Sequence, residues 1–91
     1  MIYDIIILPE AERHFHEWYK SGQKKAIAKI EALLAELKEH PTTGTGQVEQ
    51  LRGNLSGYWS RRIDKANRLV YSIEEDVVTV TVVSAKGHYG R

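Results

Sequence analysis

The sequence predicts a two-layer α+β fold, in which a helical hairpin packs on one face of a twisted, mostly antiparallel sheet. Two observations predict this fold. Apolar residues recur every three or four positions in the first half of the 91-residue chain and mainly every second position after residue 47. The later segments are joined by short polar turns, which connect antiparallel neighbours. The expected element order is β-α-α-β-β-β-β, in a single domain over residues 1–91.

The first half of the chain predicts one strand and two helices. The β-branched run 2–8 predicts a largely buried strand. Pro9 favours a helix start, and the apolar spacing predicts a first helix over about 9–20. A second amphipathic helix over about 23–39 ends before Pro41, because proline cannot continue the helical hydrogen-bond ladder. The short break between the two predicts a helical hairpin.

The second half predicts four strands, at 48–51, 58–63, 68–73 and 77–83. Because side chains alternate across a strand, one set of residues faces the helices and the other faces away. The inward set contains Trp59, Ile63, Leu69, Tyr71, Ile73, Val78, Val80 and Val82. The outward set, on a sheet face expected to be open, contains Tyr58, Ser60, Arg62, Arg68, Val70, Ser72, Thr79 and Thr81.

Two residues do not fit this alternation simply. Arg61 falls on the helix side and is expected to snorkel to an edge of the sheet. Glu49 shares the direction of Leu51, which would bury its carboxylate unless the short strand is irregular or bulged. The sequence leaves the position of Glu49 open.

Composition narrows the possible sites and compartments. The chain has no cysteine, which excludes a disulfide framework, a thiolate zinc site and a cysteine nucleophile. His14 and His16 would point about 200° apart on a helix, so their spacing does not predict a metal site. The glycines at 44–46 lack the lysine and the following helix of a P-loop. The N-terminal apolar run is too short to span a bilayer, and we expect a cytoplasmic protein without a membrane partner.

The charge distribution predicts a local basic patch. The net charge is only +1, but five Lys and Arg residues lie between positions 49 and 68, against two acidic residues. Arg61, Arg62 and Arg68 follow one predicted hairpin, which is typical of a surface that holds a polyanion, and all three are candidate phosphate-binding residues. The alternative is an ordinary solvated sheet face.

The remaining polar residues suggest acid–base cleavage of RNA. Such a reaction needs a base, cations beside the phosphate, and an acid for the leaving oxygen. Glu49 is the candidate base, His88 can act as acid or base, and Tyr89 could stack on a nucleobase or orient the leaving group. The alternatives are a strand-edge salt bridge for Glu49 and an ordinary chain end for the His-Tyr pair.

A long motif carries a family resemblance. The stretch 41–71, "PTTGTGQVEQLRGNLSGYWSRRIDKANRLVY", and the later "HYG" closely resemble the Txe/YoeB toxins of the RelE-like superfamily. The resemblance covers nearly the whole chain. Its departures include Val48, where relatives frequently have proline, and the Gly90-Arg91 extension after the His-Tyr pair.

The resemblance implies the toxin of a type II toxin–antitoxin pair, which cuts messenger RNA in the ribosomal decoding site without a metal or other cofactor. The implied catalytic residues are Glu49 as the base, His88 as the acid, Arg68 and Tyr89. The implied substrate-binding residues are Arg52 and Arg62. The implied fold is RelE-like, with the arginines on its open basic face.

The same resemblance implies partners and leaves alternatives. The expected partners are an acidic antitoxin of the YefM or Phd type, the ribosome and its messenger RNA, and a homodimer stays open. One alternative is a non-catalytic inhibitor that uses the arginine face only to bind RNA or ribosomes. Another is a module that represses its operon in complex with the antitoxin. Substitution of Glu49 or His88 discriminates the first alternative from the nuclease. It should abolish RNA cleavage if the protein is a nuclease, and it should leave inhibition intact if the protein only binds.

Overall fold

The structure is a computed structural model that describes residues 2–82. Within that range it contains two helices and one five-stranded mixed sheet, so the α+β prediction is confirmed. The elements are β1 (Asp4–Ile7), α1 (Pro9–Ser21), α2 (Lys24–Leu37), β2 (Glu49–Gln50), β3 (Tyr58–Arg62), β4 (Arg68–Glu74) and β5 (Val77–Val82). A short 3-10 helix, Gly53–Leu55, lies between β2 and β3. No helix in this part of the chain is both long and apolar enough to cross a membrane.

The order of the strands in the sheet is β1-β5-β4-β3-β2. Strands β2 to β5 form the antiparallel meander that the short turns predict. Strand β1 pairs in parallel with β5, and the two helices lie between β1 and β2 in the chain. The β4–β5 ladder contains a register shift between Val70 and Tyr71. The result is a mostly antiparallel sheet with one parallel edge strand.

The hydrophobic core lies between the helices and the inward face of the sheet. The helices contribute Ala11, Trp18, Ala26, Ile30, Leu33 and Leu37. From the sheet, the predicted inward residues Ile63, Leu69, Tyr71, Val78 and Val80 are buried in the same cluster, and Trp59 and Ile73 pack against it. Each fully buried large apolar side chain contributes roughly 1.5–3 kcal/mol to folding. The alternation inferred for β3, β4 and β5 is therefore confirmed.

The prediction that the first strand is largely buried is wrong. Strand β1 lies at an edge of the sheet, where Ile6 is 48% exposed and Ile7 is 36% exposed. Tyr3 and Ile5 are partly buried against the core, whereas Ile6 points to the other side of the strand. A run of β-branched residues predicts a strand, but the number of its neighbours depends on the order of the strands.

The sheet face that points away from the helices, which was expected to be open, is only partly exposed to solvent. Ser60 is 0% exposed and Val70 is 1% exposed, although both point away from the helical core. The two residues are directly opposite each other in the β3–β4 ladder, and the Arg68 guanidinium lies against the Ser60 hydroxyl at 3.1 Å. Alternation fixes the direction of a side chain but does not determine what covers it.

Candidate active site

The β3–β4 hairpin brings two arginines together. Its register places Arg62 directly opposite Arg68. The turn is held by Asp64, whose Oδ1 accepts hydrogen bonds from the backbone N–H groups of Ala66 at 2.9 Å and Asn67 at 2.8 Å. Like charges directly opposite in a ladder are unfavourable for folding. The hairpin thus concentrates positive charge where a structural hairpin would avoid it.

The short strand β2 adds a carboxylate to the same place. Glu49 pairs with Ser60 of β3, and Arg68 Nη1 donates to Glu49 Oε1 at 2.9 Å and to Ser60 Oγ at 3.1 Å. The Glu49 side chain is 59% exposed and that of Arg68 is 26% exposed. The burial conflict noted for Glu49 disappears because β2 has only two residues and Leu51 lies outside it.

A depression of about 310 Å³ links these groups, and we call it the basic depression. Its lining consists of Gln47, Val48, Glu49, Arg62 and Arg68. Among residues 2–82, Arg62 Nε is buried without a hydrogen-bond partner. A buried donor of this kind favours an acceptor from a ligand, and guanidinium groups bind phosphate oxygens in pairs of parallel hydrogen bonds.

Sequence reasoning missed Gln47. This residue lines the basic depression and has a φ of 52°, in the left-handed region that residues other than glycine rarely adopt. Left-handed backbone costs roughly 1–2 kcal/mol for a residue with a Cβ. The only signal in the sequence is the position of Gln47 between Gly46 and the candidate base two residues later.

Arg61 does not lie at this surface, and its predicted position at the sheet edge is wrong. It is 0% exposed and forms an ion pair with Glu36 of α2 on the helix side of β3. Its guanidinium carbon lies 5.9 Å from the centre of the Tyr71 ring. The side chain can stay inside because acceptors surround it, as burial of a charge requires. We therefore do not include Arg61 among the candidate phosphate-binding residues.

The surroundings of Arg61 affect two neighbouring ionisable groups. Partial burial by itself would raise the pKa of Glu36, but hydrogen bonds from Thr45 and the charge of Arg61 outweigh it, and the pKa lies below its ordinary value. Burial raises the pKa of the Tyr71 hydroxyl, although Arg61 opposes the change. Glu36 is therefore ionised and Tyr71 neutral at physiological pH.

The remaining predicted residues are not brought into the basic depression by the described part of the chain. Arg52 is exposed at the start of the 3-10 helix, outside the lining of the depression. His88 and Tyr89 lie outside the described residues. Within residues 2–82, no group of three or more His, Asp or Glu side chains is arranged to hold a metal ion.

Comparison with known proteins identifies the family. A family described as "YoeB-like toxin of bacterial type II toxin-antitoxin system" matches residues 9–89. The chain belongs to this family. Toxin YoeB from Synechocystis sp. is 37% identical over 86 residues, which are 94% of this chain and 98% of that protein. Toxin YoeB from Mycobacterium bovis is 43% identical over 81 residues, covering 89% of this chain and 92% of that protein.

Solved structures of YoeB relatives have the same fold. The YoeB dimer from Staphylococcus aureus superposes with a TM-score of 0.78 at 30% identity, covering 98% of this chain and 100% of that chain. A YoeB-YefM complex from the same organism superposes with a TM-score of 0.79 at 30% identity, again covering 98% of this chain and 100% of that chain. The Escherichia coli DinJ-YafQ complex superposes with a TM-score of 0.81 at 12% identity, covering 98% of this chain and 99% of that chain. At this identity the similarity is evidence for the fold alone.

Proposed function

We propose that this YoeB-family toxin is a ribosome-dependent endoribonuclease, which cuts messenger RNA in the decoding site and so inhibits translation. One observation carries the proposal: the exposed Glu49 carboxylate lies 2.9 Å from the Arg68 guanidinium, with Arg62 beside them in the basic depression. A base next to phosphate-binding cations is the arrangement that cleavage of RNA by acid–base chemistry needs.

In the proposed reaction, Glu49 takes the proton of the ribose 2′-hydroxyl. The 2′-oxygen then attacks the adjacent phosphorus, and the bond from phosphorus to the 5′-oxygen breaks. The products are a 2′,3′-cyclic phosphate and a 5′-hydroxyl. Arg62 and Arg68 stabilise the negative charge that accumulates on the phosphate oxygens, which is where fixed cations accelerate such a reaction most. The proposed step requires no metal ion.

The roles of the other candidate residues follow from their chemistry and from the family resemblance. His88 is proposed as the acid that protonates the leaving 5′-oxygen, since imidazole exchanges protons near neutral pH. Tyr89 is proposed to stack on a nucleobase or to orient the leaving group. Arg52, exposed after β2, is proposed to contact the RNA backbone.

The proposed partner in the cell is an acidic antitoxin of the YefM or Phd type. The structures of YoeB-YefM complexes from Staphylococcus aureus support this expectation. A segment with carboxylates would neutralise the facing arginines of the β3–β4 hairpin, whose mutual repulsion favours any anionic ligand. Binding of the antitoxin and binding of RNA at that face would then exclude each other.

The first experiment maps cleavage of an end-labelled message by the purified protein, with and without ribosomes that hold the message in the decoding site. We expect cuts within the decoding-site codon that are absent without ribosomes. Products with a 2′,3′-cyclic phosphate would support the proposed chemistry. No cuts in either reaction, with ribosome binding and inhibition intact, would instead support a non-catalytic inhibitor.

Glu49→Gln tests the proposed base. The amide keeps the shape of the side chain but cannot take a proton, so we expect cleavage to fall by about 10²–10⁴-fold. Ribosome binding should be retained, as sedimentation of the protein with ribosomes would measure. The matched control is Glu17→Gln, an exposed carboxylate on α1, which should cleave like the wild type. Cleavage by Glu49→Gln at the wild-type rate would rule out Glu49 as the base.

A further inference from the structure

The loop that precedes Glu49 is held by a side chain from the opposite face of the sheet. Residues 40–46, which we call the 40–46 loop, connect the end of α2 to β2. Arg61 Nη2 donates to the backbone oxygens of His40 and Thr43, the latter at 2.7 Å. Arg61 Nη1 donates to the backbone oxygen of Thr45 at 3.3 Å. One buried guanidinium thus binds three carbonyl groups of the loop.

The hydrogen bonding of Arg61 is complete. Besides the three loop carbonyls, its Nη1 contacts the Glu36 carboxylate and its Nε donates to the Tyr71 hydroxyl at 3.1 Å. Five acceptors therefore match the five N–H donors of a guanidinium. The Tyr71 hydroxyl in turn donates to the backbone oxygen of Pro41 at 2.6 Å, which adds another contact to the loop.

Glu36 holds the loop from the side of the helix. Its Oε1 accepts from the backbone N–H of Thr45 at 2.8 Å and from the Thr45 hydroxyl at 3.2 Å. The end of the loop is bound to β3 itself, because Arg62 N donates to the backbone oxygen of Gly46 at 2.6 Å. The loop is therefore fixed up to a point three residues before Glu49.

We propose that Arg61 is a positioning residue, which acts through the 40–46 loop to hold Glu49 beside Arg62 and Arg68. The catalytic part of this inference rests on the proposed function. Glu49 belongs to a strand of two residues that, among residues 2–82, pairs with β3 alone, so this ladder gives it little support. The segment before it in the chain that buried side chains bind is the 40–46 loop. A small displacement of a base from the reacting proton reduces catalysis strongly.

Arg61 and Arg62, adjacent in β3, would then have different roles. Arg61 points toward the helices and fixes the loop, whereas Arg62 points to the other face and lines the basic depression. Lysine cannot replace Arg61, because its ammonium has three donors on one nitrogen and cannot reach acceptors on several sides. Arg61→Lys therefore keeps the charge near Glu36 but releases part of the loop.

Hydrogen exchange of Arg61→Lys, followed by mass spectrometry, tests the structural half of the proposal. We expect faster exchange in peptides covering residues 43–51, which include the Thr45 amide bound to Glu36 and the Leu51 amide bound to Tyr58 O. Exchange in α1 and β5 should stay at the wild-type rate. Wild-type exchange over 43–51, or equal loss of protection everywhere, would overturn the proposal. Arg13→Lys, on the exposed surface of α1, is the control.

Kinetics test the catalytic half. We expect Arg61→Lys to lower kcat for ribosome-dependent cleavage by about 10- to 100-fold, with KM nearly unchanged. In a Glu49→Gln background the same substitution should cause no further loss, because the residue through which it acts has been removed. A persistent loss in that background would indicate a general structural role and overturn the proposal. A fall in the folded fraction alone would lower the apparent kcat in both backgrounds.

Two results separate this inference from the proposed function. If the wild type fails to cleave on ribosomes, the proposed function fails, whereas the exchange experiment still decides whether Arg61 holds the segment before Glu49. If Glu49→Gln is inactive and folded Arg61→Lys cleaves normally, only the positioning inference fails. Should Arg61→Lys not fold, Glu36→Gln takes its place, because it weakens the same loop contacts from α2.

Discussion

Arg61 and Arg62 are neighbours in β3 with opposite environments. Successive side chains of a strand point to opposite faces, so Arg61 is buried against Glu36 while Arg62 lies opposite Arg68 on the other face. A buried charge is retained only where partners compensate it, whereas two facing cations reduce the stability of a ladder and favour an anion beside them. The same residue type thus has a structural use at one position and is proposed to bind a ligand at the next.

Arg62→Met tests whether Arg62 reduces stability. The substitution keeps the apolar part of the side chain but removes the facing charge and the buried Nε without a partner in residues 2–82. We expect the free energy of unfolding to rise by about 0.5–1 kcal/mol, because like charges opposite each other destabilise a ladder. Urea unfolding at low and moderate salt measures this free energy of unfolding. The increase should be smaller at the higher salt concentration, because salt screens the repulsion between the two arginines. Arg13→Met is the control, and a loss of more than about 1 kcal/mol in Arg62→Met would contradict the interpretation.

At the scale of elements, the glycines of the 40–46 loop have a packing role rather than a phosphate-binding one. A Cβ at Gly44 would collide with the Glu36 carboxylate. A Cβ at Gly46 would lie 3.2 Å from both the Arg62 backbone oxygen and Leu33 Cδ2. The chain must approach β3 this closely for Arg62 N to bind Gly46 O. The glycines therefore let the loop lie flat against the ion pair between α2 and β3.

Gly46→Ala tests this close approach. Gly46 has a φ of 88°, so alanine adds left-handed strain as well as contacts with backbone and core. We expect a loss of about 2–3 kcal/mol in the free energy of unfolding, measured with urea. Gly22→Ala is the matched control, since Gly22 has a φ of 73° with nothing within 4 Å of its added Cβ. It should cost only the backbone strain, roughly 1–2 kcal/mol. Equal losses in the two variants would mean that the space around Gly46 is unimportant.

At the scale of the whole molecule, the ion pair between Glu36 and Arg61 joins the helical layer to the sheet. Glu36 lies on α2, Arg61 lies on β3, and the loop between α2 and β2 binds both. Arg61 is fully buried and Glu36 is only partly so, and removal of the Glu36 charge leaves a buried cation without its counter-ion, which is destabilising. The helical layer, the sheet and the segment that carries Glu49 are therefore expected to respond together when Glu36 loses its charge.

Acid unfolding tests this coupling. The folded pKa of Glu36 lies below its ordinary value of 4.5, so its ionised form stabilises the fold above pH 4.5. That contribution should be lost as the pH falls through the folded pKa. We expect urea unfolding from pH 7 down to about pH 3 to show a smaller loss of stability for Glu36→Gln than for the wild type, because the variant has no proton to take up there. Glu17→Gln should lose as much stability as the wild type between pH 7 and pH 3. An equal loss in Glu36→Gln would contradict the lowered pKa of Glu36 as a source of stability.

The local pattern of the sequence determined the elements and the directions of most side chains. The helix predicted at 9–20 is observed at Pro9–Ser21, and the alternation that buries Leu69 and Tyr71 is observed in β4. These features depend on the neighbours of each residue in the chain, which a sequence displays directly. The motif over 41–71 likewise indicated the YoeB-like family, which the match over residues 9–89 confirmed.

Tertiary structure alone decided three features. The exposure of β1 follows from its place at the sheet edge, and the exposure of Glu49 follows from the two-residue length of β2. The burial of Arg61 follows from acceptors that α2 and the 40–46 loop bring to it, from positions 16 to 25 residues away in the chain. The physical reason is the same in each case. Burial and charge compensation depend on what other segments place beside a residue, and local alternation contains no information about those segments.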